Sequence, residues 1–535
     1  MSTWTRRRFL EFLRDSSQTL AAVGLVPAIA GCTRTRRLPP LPSLAPSRLD
    51  TVDLVDGLSW REMIRFDTPI NAQGDRFGVN NDYLELFPVP GRPQSKSALL
   101  WVNHEYPSML ELHGKDVPNK TRKQVDLERK AVGGSVLRIE NAGTGWHVVY
   151  NDSYNRRVSG ETPIPIVAPR AIAGSETAIG TLANCAGGKT PWNSVLTCEE
   201  NYESYYGEVD LSDGKRIHHP GTLGWSTHYD LPPEHYGWVV ELGPTTGASK
   251  KLTALGRFAH ECATVRPGAD GRCAVYSSDD RQGGFLYKFI ADREGSLETG
   301  VLYAANLEAG RWESLTLDRP ELGGVFHDEV DLLVQARRAA ALVGATPLDR
   351  PEDIEVDPRT GSVLIALTNN LARGNHHGSI LKLAERDNDP LALEFTHDTL
   401  LMGGDETGLS CPDNLTFDSQ GNLWITNDIH GGSQGEPEYE RFGNNGLFYV
   451  PMSGPQAGGV LRIANAPVAA ELTGLKFTPD GRTLLLAVQH PGETTRSLDS
   501  MTSHWPDGGE AMPACAVIAV SGPLLDRLVA DPANV

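Results

Sequence analysis

Four stretches of this chain repeat one plan: a carboxylate, an alternating apolar strand, a turn of Pro, Asp and Gly, and a second alternating strand. Glu352-Asp-Ile-Glu-Val-Asp-Pro-Arg-Thr-Gly361-Ser-Val-Leu-Ile-Ala-Leu-Thr-Asn-Asn370 is the clearest copy. Asp413 to Asp428, Glu471 to Val488 and Glu261 to Asp279 are the others. Period-two patterning cut by turn residues reads as strands joined in hairpins. Recurrence of the unit reads as blades of a β-propeller. The copies are spaced more widely than the roughly 40–50 residues of a familiar blade, and inserted loops explain the excess. Two earlier strands also end in acids, Leu99-Leu-Trp-Val-Asn103-His104-Glu105 and Leu196-Thr-Cys198-Glu199, which brings the expectation to six blades. Tandem β-sandwiches are the alternative, and they would scatter the acids.

A propeller places the start of each blade's first strand at one mouth of its central channel. Glu261, Glu352, Asp413 and Glu471, far apart in sequence, are therefore expected to converge there. Converging carboxylates repel one another unless cations neutralise them. Oxygen ligands suit Ca²⁺, and a thiolate among them adds a transition metal such as Fe or Zn. Such a thiolate is offered by Val195-Leu-Thr-Cys198-Glu199-Glu200-Asn201, where an apolar strand runs into a thiol and two carboxylates. A buried structural cysteine followed by a solvated acidic turn is the other reading of that stretch. Arg350, two residues before Glu352, offers a bidentate fork for a phosphate; a salt bridge to Glu352 or Asp353 is its alternative.

The net charge of −19 excludes a nucleic-acid binder, whose partner's phosphates such a surface would repel. Thr5-Arg6-Arg7-Arg8-Phe9-Leu10 fits the twin-arginine export pattern, and the apolar stretch behind it, Leu20 to Gly31, is too short to cross a bilayer. It ends either in a small-residue cleavage site, Ala28-Ile29-Ala30, or in a lipobox, Ile29-Ala30-Gly31-Cys32, with Cys32 lipidated. The expected organisation is a signal at 1–32, a Pro- and Arg-rich tether at 33–50 and a single propeller domain at 51–535. Asp328 to Val343 carries the sole long helical pattern and is expected as a short excursion on the rim. Export implies an oxidising compartment, periplasmic or cell-surface. Cys262 and Cys273 flank one turn and could bridge; buried free thiols fit equally.

Taken together, Val102-Asn-His-Glu105-Tyr106, Thr197-Cys-Glu-Glu-Asn201, Gly256-Arg-Phe-Ala-His-Glu261, Arg350-Pro-Glu352, Pro412-Asp-Asn414, Glu471-Leu-Thr-Gly474 and Gln489-His-Pro-Gly-Glu493 resemble the PhoX-type alkaline phosphatases, in that family's order. The resemblance implies an all-β, six-bladed propeller that hydrolyses phosphate monoesters, with diesters as the alternative substrate, at an Fe³⁺ and Ca²⁺ cluster. By position it implies Cys198 as the iron ligand, Glu261, Glu352, Asp413, Glu471, Glu105 and Glu199 as metal ligands, and Arg350 with Asn414 against the phosphate. The loop after Asn370, Leu-Ala-Arg-Gly-Asn-His376-His377, is shorter than the family's, which touches the substrate range; the two histidines are expected in a solvated turn.

The expected partners are a small phosphate ester and the twin-arginine machinery, with membrane contact only through a lipid anchor, and the protein is expected to be a monomer. No serine nucleophile is required where metals activate water. Two other functions fit a propeller of this kind: a Ca²⁺-dependent lactonase or esterase, and a non-catalytic propeller that calcium merely stabilises.

Overall fold

The computed structural model describes residues 41–211 and 215–530, with the side chains of 529 and 530 left aside. The signal at 1–32 and Cys32 lie outside the described residues.

Six sheets form the six blades, antiparallel throughout except where Lys251–Leu252 runs parallel to Ile166–Val167 at the outer side of blade 2, and each blade's innermost strand is followed in sequence by the strand beside it. Blade 1 opens with Asn81–Pro88 and Ser97–His104, blade 2 with Asn184–Lys189 and Val195–Glu199, and blade 3 with Thr264–Pro267 and Cys273–Ser278. Blade 4 opens with Pro351–Val356 and Val363–Leu367, blade 5 with Pro412–Phe417 and Leu423–Asn427, and blade 6 with Glu471–Phe477 and Thr483–Gln489. The second strands are buried along their whole length or nearly so, because each is flanked by its own sheet and covered by a neighbouring blade on both faces. Leu485, Val517 and Ala519 of blade 6, for example, pack with Leu84, Leu100 and Val102 of blade 1.

The ring is closed by the N-terminal part of the domain. Ser59–Arg65 is the outermost strand of blade 6, paired with Ala516–Ser521, so the last blade is completed by a strand that precedes blade 1. Residues 41–50, expected within a tether, instead dock on blade 5. Leu44 N donates to Arg462 O at 2.8 Å, Arg462 N to Ser43 Oγ at 3.0 Å, and Asn444 N to Ser47 O at 2.8 Å. The segment has no period because it runs as an irregular strap satisfied by blade 5's free edge.

The rim excursion is two short helices, Glu329–Val334 and Ala336–Leu342, capped by Asp328, whose side chain accepts from Asp331 N. A second helical region was not legible. Met109–His113 and Arg122–Ala131 sit inside the blade 1 insertion, the latter opened by a Thr121/Gln124 capping box. Trp101, Trp312 and Trp424 are buried in the core, and Trp192 is partly buried. All six described cysteines are free thiols, Cys262 and Cys273 included.

Candidate metal centre and phosphate site

The first strands all begin alike. Two residues before the inward-facing position, five of the six blades put a non-glycine residue in the left-handed region: Asn80 (φ 43°), Ala183 (51°), Arg350 (52°), Cys411 (54°) and Ala469 (50°). Such a conformation costs on the order of 1 kcal/mol for a residue with a Cβ and persists where surrounding structure holds it. Here the hold is a hydrogen bond to the same residue's carbonyl from the segment that leaves the second strand. Glu105 N donates to Asn80 O at 3.0 Å, Glu200 N to Ala183 O at 2.9 Å, Thr368 N to Arg350 O at 3.0 Å, and Asp428 N to Cys411 O at 2.9 Å. In blade 6 the donor is Glu493 N to Ala469 O, 3.3 Å. Blade 3 makes the same bond, Asp280 N to Ala259 O at 3.1 Å, without the left-handed turn.

This repeated device creates two tiers of side chains at the mouth. The inner tier is Asp82, Cys185, Glu261, Glu352, Asp413 and Glu471, one per blade. The outer tier is Glu105, Glu200, Asp280, Thr368, Asp428 and Glu493. Three groups have ligand atoms within 4.8 Å of one another: Asp82, Glu105 and Cys185; Cys185, Glu200 and Glu261; Glu261, Glu352 and Asp413. Cys185 and Glu261 are shared, so the three form a continuous arc from blade 1 to blade 5. All seven of these residues are buried.

Burial and mutual repulsion dominate the electrostatics. Burial first, then neighbouring carboxylates, push Glu105, Glu200, Glu261 and Asp413 well above the usual carboxylate range. Glu352 is pushed up in the same way despite the Arg350 guanidinium beside it, and Asp82 rises to about 6. Asp82 Oδ1, Glu261 Oε2 and Asp428 Oδ1 are buried with no hydrogen-bond partner in the protein. Buried acceptors without donors are what cations satisfy. A donor set of carboxylate oxygens and one sulfur therefore fits metal ions, the oxygens suiting hard cations and the thiolate a transition metal.

The placement of the expected residues corrects several readings. Glu105, Glu261, Glu352 and Asp413 come together in the arc. Glu471 faces this mouth from blade 6, shares a hydrogen bond with Asp428 and lies 3.2 Å from His490 Nε2. Cys198 does not join them. It lies in the apolar core between blades 2 and 3, among Leu196, Val239 and Phe258, and its thiol is pushed up by burial and then by Cys262. The sulfur at the mouth is that of Cys185, 3.1 Å from Glu261 Oε1 and 3.3 Å from Asp82 Oδ2. Glu199 is likewise structural. Its carboxylate accepts from Lys251 Nζ at 2.7 Å, Gly237 N and Trp238 N at 3.1 Å, and Leu182 N at 3.2 Å. Consecutive strand residues face opposite ways, so Glu199 turned outward leaves Glu200 facing the mouth.

Arg350 makes the ion pair with Glu352 that its sequence context allows, and a second one with Asp280. Nη2 lies 2.7 Å from Glu352 Oε1, while Nε and Nη2 bond the two oxygens of Asp280 at 3.0 and 2.7 Å. Asp280 thus fixes the guanidinium plane at the rim, a quarter exposed. Asn414 Nδ2 donates to Asp413 Oδ1 at 3.3 Å, and its Oδ1 accepts from Gly474 N. His377 pairs with Ser410 and Glu438, away from the arc. Tyr202, Tyr205 and Tyr206 pack with Trp225 and Tyr236 in the blade 2 insertion, and Tyr205 Oη donates to Glu105 O.

Sequence reading missed Asp82, Cys185, Glu200, Asp280 and Asp428. Asp82 had a signal, since Asn81-Asp-Tyr-Leu-Glu-Leu-Phe87 is an acid opening an alternating strand. Cys185 had none, because its strand, Asn-Cys-Ala-Gly-Gly-Lys, lacks apolar alternation.

The profile of the family described as alkaline phosphatase PhoX matches residues 42–492. Among solved structures, Pseudomonas fluorescens PhoX in complex with vanadate, a transition state analogue, is 28% identical with a TM-score of 0.82, covering 90% of this chain and 98% of that one. A gluconolactonase from Xanthomonas campestris is 11% identical over 91% of this chain and 99% of its own, with a TM-score of 0.34, and Trypanosoma rangeli sialidase is 8% identical over 89% and 60%, with a TM-score of 0.35. No curated protein sequence matches the chain.

Proposed function

From the chain's membership of the alkaline phosphatase PhoX family, which makes it a phosphoric ester hydrolase, we propose that it cleaves phosphate monoesters at a mixed Fe³⁺ and Ca²⁺ centre in the propeller mouth. The observation that carries this reading is the arc of three ligand groups sharing Cys185 and Glu261. Asp82, Glu105, Cys185, Glu200, Glu261, Glu352 and Asp413 would hold the metals, with Glu471 and Asp428 completing the blade 5 and 6 side. Iron is favoured where Cys185 contributes, and calcium where only carboxylates do. When bound, the metals cancel charge on the phosphoryl oxygens and lower the pKa of water, so that no side-chain nucleophile is required.

The protein's own groups then have defined tasks. Arg350 would turn its remaining nitrogen, Nη1, to a phosphoryl oxygen, with Asp280 and Glu352 holding the guanidinium in place. Asn414, bonded to Asp413 and to Gly474 N, lines the channel with Asp82 and would offer its carboxamide to substrate from that side. A calcium-only lactonase centre is disfavoured by the buried sulfur, since calcium takes oxygen ligands.

The twin-arginine motif supports export to the periplasm or cell surface, either released or lipid-anchored at Cys32, and we propose that the mature protein acts as a monomer on small phosphate esters.

Protein purified from its native export route is assayed on p-nitrophenyl phosphate and on bis-p-nitrophenyl phosphate, with elemental analysis of the same sample. Monoester turnover with iron and calcium bound is expected. Full metal occupancy without monoester turnover would overturn the substrate assignment, and calcium without iron would overturn the centre's composition.

A further inference from the structure

Four of the six first strands bulge where they carry the inner side chain of the mouth. In blade 1 the register jumps between Asn81 and Leu84, so Asp82 and Tyr83 together oppose Asn103. In blade 2 it jumps between Asn184 and Gly187, so Cys185 and Ala186 together oppose Cys198. Blades 4 and 5 do the same at Glu352 and Asp413. A bulge swings a side chain off the regular pleat and takes its backbone out of the one-to-one ladder. The aim of that side chain then depends on what holds the freed peptide groups.

The hold comes from the preceding blade. Ser278 Oγ of blade 3 donates to Glu352 O of blade 4, and Thr368 Oγ1 of blade 4 lies 2.9 Å from Pro412 O of blade 5. Between blades 1 and 2 it is Asn103, which is wholly buried. Its Nδ2 donates to both carbonyls of the blade 2 bulge, Cys185 O and, at 3.0 Å, Ala186 O. Its Oδ1 accepts from Trp101 Nε1 at 2.6 Å and from Thr197 Oγ1 at 2.8 Å. An indole N–H can only donate and a backbone carbonyl can only accept, so the partners fix which end of the carboxamide points where.

The network closes on the bulge from its other side. Thr197 Oγ1 also accepts from Nδ2 of Asn184, the residue before Cys185, at 2.8 Å. One carboxamide therefore ties the Cys185–Ala186 bulge to the strand beside it in blade 2 and to blade 1. Asn103 is also the residue opposite the blade 1 bulge that carries Asp82, so it stands between two members of one ligand group. Its bonds end on backbone and on Trp101 and Thr197, not on a carboxylate of the mouth.

We propose that Asn103 is a positioning residue: by holding the Cys185–Ala186 bulge from the neighbouring blade, it sets the direction of the Cys185 sulfur and, through it, the affinity of the centre for iron. The proposal rests on the reading of Cys185 as the iron ligand and adds the group that aims it. Groups that orient a metal ligand from behind commonly carry about 10- to 100-fold in metal affinity.

The test titrates iron, against a competing chelator, into chelator-stripped wild type, Asn103→Leu, Cys185→Ala and the double variant. Asn103→Leu is expected to weaken iron binding about tenfold or more. The double variant is expected to bind iron no more weakly than Cys185→Ala alone, because Asn103 acts through the sulfur. Leu196→Ala, a core truncation in the same blade, should lower the melting temperature yet keep iron affinity within about twofold of wild type, which separates positioning from lost stability. Wild-type affinity in Asn103→Leu, or losses that add in the double variant, would overturn the positioning role. Iron bound as tightly by Cys185→Ala as by wild type would instead overturn Cys185 as the ligand, and the proposal with it. If Asn103→Leu does not fold, Thr197→Val removes the hydroxyl that holds Asn103 Oδ1. A smaller loss of the same kind is expected there, and unchanged iron affinity would overturn the role.

Discussion

The sulfur of Cys185 lies 3.1 Å from Oε1 of Glu261, its neighbour in the next blade. Each of them belongs to two of the three ligand groups, so the pair is the joint at which the arc of donors is connected. Cys198, thirteen residues further along the chain from Cys185 in the second strand of the same blade, is enclosed by apolar side chains instead.

Replacing these two cysteines should therefore give opposite results. Cys185→Ala is expected to lower the iron content and to reduce turnover at least 100-fold. Cys198→Ala is expected to keep metal and activity and to cost about 1 kcal/mol, the loss of one small buried group. Elemental analysis with turnover and urea denaturation of both variants decides; iron retained in Cys185→Ala would remove it from the centre.

Arg350→Lys keeps a positive charge but loses the fork that Asp280 orients. A fall of about 100-fold in kcat/KM is expected, about 2.7 kcal/mol of transition-state stabilisation. Asp280→Asn should give a smaller fall, since it loosens the fork without removing it. The measurement is steady-state kinetics on p-nitrophenyl phosphate, and rates within twofold of wild type for Arg350→Lys would place the phosphate elsewhere.

Metal-free protein should show an inverted pH dependence of stability. Unfolded carboxylates ionise near 4, whereas in the folded mouth Asp82 holds its proton to about 6, and burial with neighbouring carboxylates pushes Glu261, Glu352 and Asp413 well above the usual carboxylate range. The folded state thus binds more protons than the unfolded one above pH 4, so stability falls as pH rises through 6 and beyond. Melting temperatures of chelator-stripped protein are expected to drop between pH 5 and 8, and re-addition of metal should abolish the drop. A flat profile in the stripped protein would contradict the crowding of charge described above.

Glu128 is buried and takes three donors: His113 Nε2 and Lys120 Nζ, both at 2.8 Å, and Trp225 Nε1 at 2.6 Å. Glu128→Ala leaves Lys120, itself almost fully buried, without its counter-charge. A loss of about 3 kcal/mol is expected, with earlier proteolytic cleavage within 107–131 than in wild type. Urea denaturation and limited proteolysis report the two effects separately.

Removal of residues 41–65 is expected to prevent folding, because it takes the strap from blade 5 and the outermost strand, Ser59–Arg65, from blade 6. Removal of 41–50 alone should leave a folded but less stable ring. Circular dichroism and thermal melts distinguish these outcomes, and a fully stable protein lacking 41–65 would contradict the closure.

Alternating apolar residues and Pro-Asp-Gly turns were enough to announce strands, blades and the all-β ring, because period two is a property of the local chain. They also marked Glu261, Glu352 and Asp413, which open strongly alternating first strands. Whether Glu199 or Glu200 faced the mouth was a matter of one residue of register, and that register is decided by pairing of Val195–Glu199 with Asn184–Lys189 and Val239–Leu242, which no short window contains. Cys185 sits on a glycine-rich strand without any periodic signal, and Asp280 and Asp428 reach the mouth because bonds from their amides to Ala259 O and Cys411 O, with blade-to-blade packing, set where second strands end. Local pattern determined which segments are strands; the closure of the ring decided which side chains meet at its axis.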